Sequence, residues 1–150
     1  DFQQTIEEFG NYEVTDVSDL LCGKVWKIWS QAAYSEDWSE VEALMYYKGE
    51  NMEYVGGAYY EYIFTAEGEV IWKISGNSAM KHENHMGTWE FNPETRSLVL
   101  SMSEFETIYG EKLDYKPYTS SRLLRALNEN TLIWDYKGAY NHREEYIVKE

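Results

Sequence analysis

The 150-residue chain carries 13 Lys+Arg against 27 Asp+Glu, a formal net charge of −14, and a single cysteine. That charge repels phosphate backbones and anionic lipid, with no Lys/Arg cluster to offset it, so nucleic acid is the least fitting partner. No apolar run approaches the roughly 20 residues of a membrane-spanning helix, and one cysteine excludes an internal disulfide. The length predicts one domain over residues 1–150, in which a folded chain buries roughly 70% of its extended surface. The 6 Trp, 14 Tyr and 5 Phe, beside only 2 Pro, point to β-structure with rings on its faces.

Residues 1–22 read as a polar N-terminal extension, with a short helical turn over 16–21 capped by Asp16 or Ser18. The chain opens at Asp1, which reads as a processed product whose signal peptide is gone. Asp16 and Asp19 interrupt the apolar run that a lipoprotein cleavage box before Cys22 would need, so Cys22 reads as a small buried apolar residue.

Strand signals follow. Over 24–31, Trp26, Ile28 and Ser30 share one face, and Val25, Lys27 and Trp29 the other. Ser39-Glu40-Val41-Glu42 has the form of a capping box with Trp38 as staple, predicting a short helix over 40–47. Over 57–65, Tyr60, Tyr62 and Phe64 alternate with Tyr59, Glu61 and Ile63; Ala66-Glu67-Gly68 is a turn into 69–75, where Val70, Trp72 and Ile74 align. A loop containing His82-Glu83-Asn84-His85 leads to 87–92, with Trp89 and Phe91 on one face. A turn at 93–96 opens 98–102, with Leu98, Leu100 and Met102 inward, and a looser loop spans 110–117. Strands over 122–127 and 131–136, the latter aligning Leu132, Trp134 and Tyr136, and a last strand over 140–149 complete eight. Their hairpin-length connections predict an all-β fold: an eight-stranded antiparallel up-and-down β-barrel with a short helix between its first two strands. A two-sheet sandwich is the competing arrangement, because alternation does not distinguish closure from stacking.

Gly23-Lys24-Val25-Trp26 opens the first strand, and Gly87-Thr88-Trp89 opens a mid-barrel strand after the Glu67-Gly68 hairpin. In that order of elements, over roughly residues 20–149, the chain resembles the lipocalin-like (calycin) domains of secreted bacterial proteins. The first motif is Gly-x-x-Trp where that family has Gly-x-Trp. The resemblance implies export to the periplasm or cell surface, with a lipid anchor upstream of residue 1 as one form of it. It also implies that Trp26 closes the barrel floor beneath an Arg of a late strand, with Arg143 in that part and Arg122 and Arg125 as competitors.

Catalytic patterns are lacking. His82 and His85 have metal-like spacing, but zinc needs three or four ligands and a loop does not align these, so no metal is expected. Glu144 and Glu145 point to opposite faces of a regular strand, and no Gly-x-Ser-x-Gly, P-loop or dinucleotide glycine pattern occurs. No enzyme activity and no cofactor are expected. The positive signal is aromatic: Tyr60, Tyr62, Phe64, Trp72, Trp89, Phe91, Trp134 and Tyr136 fall on the apolar faces of their strands, where they fill the barrel or line a pocket. Arg125, His142 and Glu144 are the candidate polar handles inside it. These features predict non-catalytic binding of a small, largely apolar molecule. The alternative is a filled barrel that binds carbohydrate or protein through surface rings such as Tyr46, Tyr47, Tyr54 and Tyr59.

Overall fold

A computed structural model describes residues 14–46, 58–76, 83–107, 116–137 and 141–149. The first element is a helix, α1 (Val14–Leu21). Val17 and Leu21, four apart and hence on one helical face, are both fully buried. The Cys22 N–H bonds the Ser18 carbonyl, and Gly23 takes a φ of 77°, the left-handed conformation that ends a helix. The Trp26 indole Nε1 then donates to the Leu21 carbonyl at 2.8 Å, satisfying an otherwise orphaned C-terminal group. The described part of the segment that sequence reads as an extension, residues 14–22, thus packs into the core.

Nine strands follow among the described residues: β1 (Val25–Tyr34), β2 (Val41–Tyr46), β3 (Ala58–Phe64), β4 (Glu69–Gly76), β5 (Glu83–Asn92), β6 (Ser97–Thr107), β7 (Tyr118–Leu127), β8 (Thr131–Lys137) and β9 (Asn141–Val148). β2 pairs with the second half of β1 (Tyr34↔Val41, Ser30↔Tyr46) and β3 with its first half (Trp26↔Tyr62), both antiparallel. These two strands therefore share one position in the wall, which makes nine strands into an eight-position barrel. The remaining strands pair antiparallel in sequence order, and β9 closes on β1. No edge is left along that seam.

The helix expected over 40–47 is instead β2. The capping box fails because its hydroxyl is committed elsewhere: Asp37 Oδ1 accepts from the Ser35 hydroxyl (2.8 Å), the Ser39 N–H (3.0 Å) and the Ser39 hydroxyl (2.5 Å). That closes a tight turn, in which Trp38 has a φ of 64° and its ring leans on Tyr34. The turn sends the chain back along β1, where pairing satisfies the backbone of 41–46.

Of the four bulges among the described strands, three re-aim side chains of the barrel wall. Trp29 is the extra residue of β1 opposite β9, Ser103 that of β6 opposite β5, and Arg125 that of β7 opposite β8. Beside the β5–β6 bulge, a Cβ on Gly87 would collide with the Ser101 carbonyl and with Met102 Cα, so the backbones approach as only glycine allows.

The two ends of the barrel differ. Three short hairpins, at 65–68, 93–96 and 128–130, lie at the end where α1 packs. The connections at the other end are 35–40, 77–82, 108–117 and 138–140, of which 35–40 and 116–117 are described. Next to α1, Trp26, Ile28, Phe64, Val70, Phe91, Leu98, Leu100, Leu124, Leu127, Leu132, Trp134 and Tyr146 form a single buried cluster.

Candidate binding site inside the barrel

Residues directly paired across strands share a face, so the register assigns the interior. Phe64↔Val70, Tyr62↔Trp72, Trp72↔His85 and Leu98↔Arg122 point inward, as do Leu124↔Trp134, Trp134↔Glu144 and Gln31↔Glu144. Burial of these inward residues falls off in one direction along several strands. On β3 it runs from Phe64 (1% exposed) through Tyr62 (2%) to half-buried Tyr60; on β7 from Leu124 (0%) through Arg122 (9%) to Tyr118 (37%). On β8 and β9, Leu132, Trp134 and Tyr146 are sealed at 0%, while Tyr136 and His142 are half-buried. The interior is therefore closed at the α1 end and accessible toward the other.

A polar cluster sits at the boundary. Glu144, 2% exposed, accepts four hydrogen bonds. Its Oε1 receives Trp134 Nε1 (2.9 Å), the Tyr146 hydroxyl (2.9 Å) and Arg122 Nη1 (3.3 Å), and its Oε2 receives Gln31 Nε2 (3.0 Å). Gln31 Nε2 also donates to the Tyr136 hydroxyl oxygen at 3.0 Å. The Arg122 guanidinium lies 3.8 Å from the Tyr136 ring centroid and 5.3 Å from that of Trp134, and its Nε donates to Ser120 Oγ at 2.9 Å. A carboxylate this buried is tolerated because it accepts four hydrogen bonds and a guanidinium balances its charge.

The titration of these groups follows from that packing. Burial works to lower the Arg122 pKa, and its electrostatic surroundings, the Glu144 carboxylate among them, outweigh it, so the guanidinium is held more firmly charged than usual. Burial, with Glu144 adding to it, pushes the Tyr136 and Tyr146 hydroxyls well above their ordinary range. Tyr62 moves the same way, again chiefly through burial. His142 is lowered by burial, opposed by Glu144 and reinforced by Arg122, and it stacks on Tyr136 at 4.8 Å.

All eight aromatic residues singled out from sequence belong to one assembly, but at two levels. Phe64, Phe91, Trp89 and Trp134 pack at the closed end; Trp89 Nε1 donates to the Thr65 carbonyl, and Phe64 meets Trp89 and Trp134 edge-on. Tyr62 stacks on Trp72, which leans on Tyr60 and on His85; with Tyr136 these three line the accessible half.

Of the three expected handles, Glu144 lies in the interior cluster, and half-buried His142 sits at the accessible end against Tyr136. Arg125 does not join them. Next to inward Leu124, it lies on the opposite face, where Asp135 receives its Nε at 2.6 Å and that of Arg143 at 2.8 Å. That arrangement also removes Arg143 from the part expected of it, since its guanidinium stands over Tyr34 (5.6 Å) and the cation beside Trp26 is Lys24 (5.5 Å). The polar members that the sequence reading missed as handles are Gln31 and Arg122. Gln31 turns inward because the bulge at Trp29 shifts the face that strict alternation assigns to Ser30.

Residues 83–85, expected in a loop, belong to β5, and His85 packs between Trp72 and Phe105. His82 lies outside the described residues, among which no three His, Cys, Asp or Glu side chains group as metal ligands. Tyr47 and Tyr54 also lie outside them, while Tyr46 and Tyr59 are strand positions of β2 and β3. No helix among the described residues is long and apolar enough to cross a membrane. Compared with known proteins, the chain matches no family model and no curated protein.

Proposed function

We propose that the protein binds a small, largely apolar molecule in the accessible half of the barrel, without catalysis. One observation carries this reading: inward-pointing Tyr60, Trp72 and Tyr136 keep contact with solvent while the residues below them are sealed. Rings that served only as core would be covered; rings around a polar centre at the end of a closed barrel suit the usual lining of a ligand site. Binding would be driven by burial of apolar ligand surface, about 25 cal/mol per Å² before ordering costs, with the polar cluster fixing orientation. The lipocalin-like resemblance of the two Gly–Trp motifs points the same way.

Native mass spectrometry of freshly purified protein, repeated after organic extraction, tests this reading. The expected result is a discrete added mass that extraction removes, or uptake of apolar probes by the extracted protein with quenching of tryptophan fluorescence. A protein that carries nothing and takes up no probe would instead be a filled barrel working through its surface.

A further inference from the structure

Around Arg122, the hydrogen-bonding groups left over on Arg122, Tyr136 and Trp72 are donors. A guanidinium has five N–H groups. Arg122 uses Nε on Ser120 and one Nη1 hydrogen on Glu144, and no other group of the described residues receives the second Nη1 hydrogen or those of Nη2. Its side chain is 11% accessible, against 3% for Glu144. The Tyr136 hydroxyl accepts from Gln31, and its own hydrogen meets no acceptor among the described residues. Trp72 Nε1 is a buried N–H with no partner there. The carboxylate beside them is largely taken up, since Glu144 already accepts four hydrogen bonds, three on Oε1 and one on Oε2.

Charge narrows the class further. Arg122 and Glu144 cancel each other, and Arg122 is the one Lys or Arg at an inward register position in this half among the described residues. A ligand carboxylate placed here would leave one negative charge unbalanced in a buried setting, inside a chain of net charge −14. An ammonium would bring more donors to a wall of donors.

Resting on the ligand-binding reading above, we propose that the ligand's polar end is an uncharged acceptor, a ketone, ester or amide carbonyl. Arg122 and Tyr136 receive it, with Trp72 as a further donor along the same wall. The Arg122 guanidinium carbon stands 3.8 Å from the Tyr136 ring centroid, so the two donor groups are neighbours on one wall.

Four probes of equal chain length test this on the full chain: 2-octanone, octane, octanoate and octylamine at pH 7, read by displacement of N-phenyl-1-naphthylamine. The ketone is expected to bind about tenfold tighter than octane, the effect of one charge-assisted hydrogen bond, with octanoate and octylamine no tighter than octane. Arg122→Met should bring the ketone down to the level of octane while octane itself changes less than about twofold. Should that variant fail to fold by circular dichroism, Tyr136→Phe keeps the test, with an expected loss of about threefold in ketone preference. Octanoate binding tighter than the ketone, or a ketone preference that survives the substitution, overturns the inference and leaves a binding barrel standing. If the reporter binds and is displaced by none of the four, the inference falls; if the reporter itself does not bind, the ligand-binding reading falls with it.

Discussion

The side-chain amide of Gln31 donates to Oε2 of Glu144 at 3.0 Å, and the two residues are register partners on β1 and β9, the strand pair that closes the barrel. The polar cluster and the closure of the fold are therefore one structure. Glu144→Ala strands the donors of Trp134, Tyr146, Arg122 and Gln31 at once and leaves the buried Arg122 charge unpaired. The expected loss is about 3–5 kcal/mol of unfolding free energy, measured by urea denaturation. Gln31→Leu removes one donor of four and should cost about 1–2 kcal/mol. Because the two share a bond, the double variant should lose less than the sum, by about 0.5 kcal/mol or more. Strict additivity would mean that the amide and carboxylate do not interact in solution.

Asp135 holds the opposite face of the same wall. It accepts from Arg125 on β7 and from Arg143 on β9, and it is 2% exposed. Asp135→Asn keeps the shape but removes the charge that balances two guanidinium groups. The melting temperature should fall by the equivalent of about 2–4 kcal/mol, more than for a surface ion pair, which is worth about 1 kcal/mol or less. A change within the surface range would mean that solvent reaches the pair.

The barrel was legible from sequence because alternation and hairpin-length turns are local signals. The strands carrying Tyr62, Leu100 and Trp134 have their expected inward faces, and the eight aromatics do converge. What local pattern does not carry is a bulge, which adds a residue without changing composition. Trp29 and Arg125 each sit at one, and each shifts the face of the residues after it: Gln31 turns into the interior, and Leu127 rather than Ala126 points inward. The helix expected over 40–47 failed differently, because Ser39 has two possible partners and the side chain of Asp37, two residues back, wins over a helical N–H.

That turn gives a pH-dependent signature. The hydroxyl and N–H of Ser39 and the hydroxyl of Ser35 hold the Asp37 carboxyl at a pKa of about 2 against an ordinary 3.8. A folded value below the unfolded one means that the turn's contribution is complete above pH about 4 and is lost as pH falls toward 2. In carboxyl-detected NMR titration, Asp37 should keep its ionised shift to about pH 3, and Ser39→Ala should raise its midpoint toward the ordinary value. An Asp37 titrating near 3.8 in the unmodified protein would show that the turn does not hold.

Gly87 is the residue whose replacement tests the β5–β6 bulge. Its backbone faces Ser101 and Met102 so closely that a methyl group meets backbone atoms, which are not free to rotate aside. Gly87→Ala should therefore cost about 2–3 kcal/mol, with faster amide exchange in β5 and β6. Gly68, with a φ of 91° and only a 3.8 Å contact to a Cβ, is the comparison: Gly68→Ala should strain the hairpin by about 1 kcal/mol and leave exchange beyond the turn unchanged. Equal effects at the two sites would mean that the bulge relaxes to admit the methyl group.

Trp26 connects the helix to the barrel. Its indole N–H donates to the Leu21 carbonyl, its ring is fully buried, and Val17 and Leu21 pack in the same cluster. Trp26→Phe preserves most of the apolar surface but leaves the last helical carbonyl without its donor, an expected cost of about 1–2 kcal/mol. The loss should be local as well as global. Amides of α1 should exchange faster by about tenfold or more relative to those of β8 and β9, because the helix loses its tie while the hairpins keep theirs. If exchange rises equally throughout, Trp26 stabilises the barrel by packing alone, and α1 is held by Val17 and Leu21.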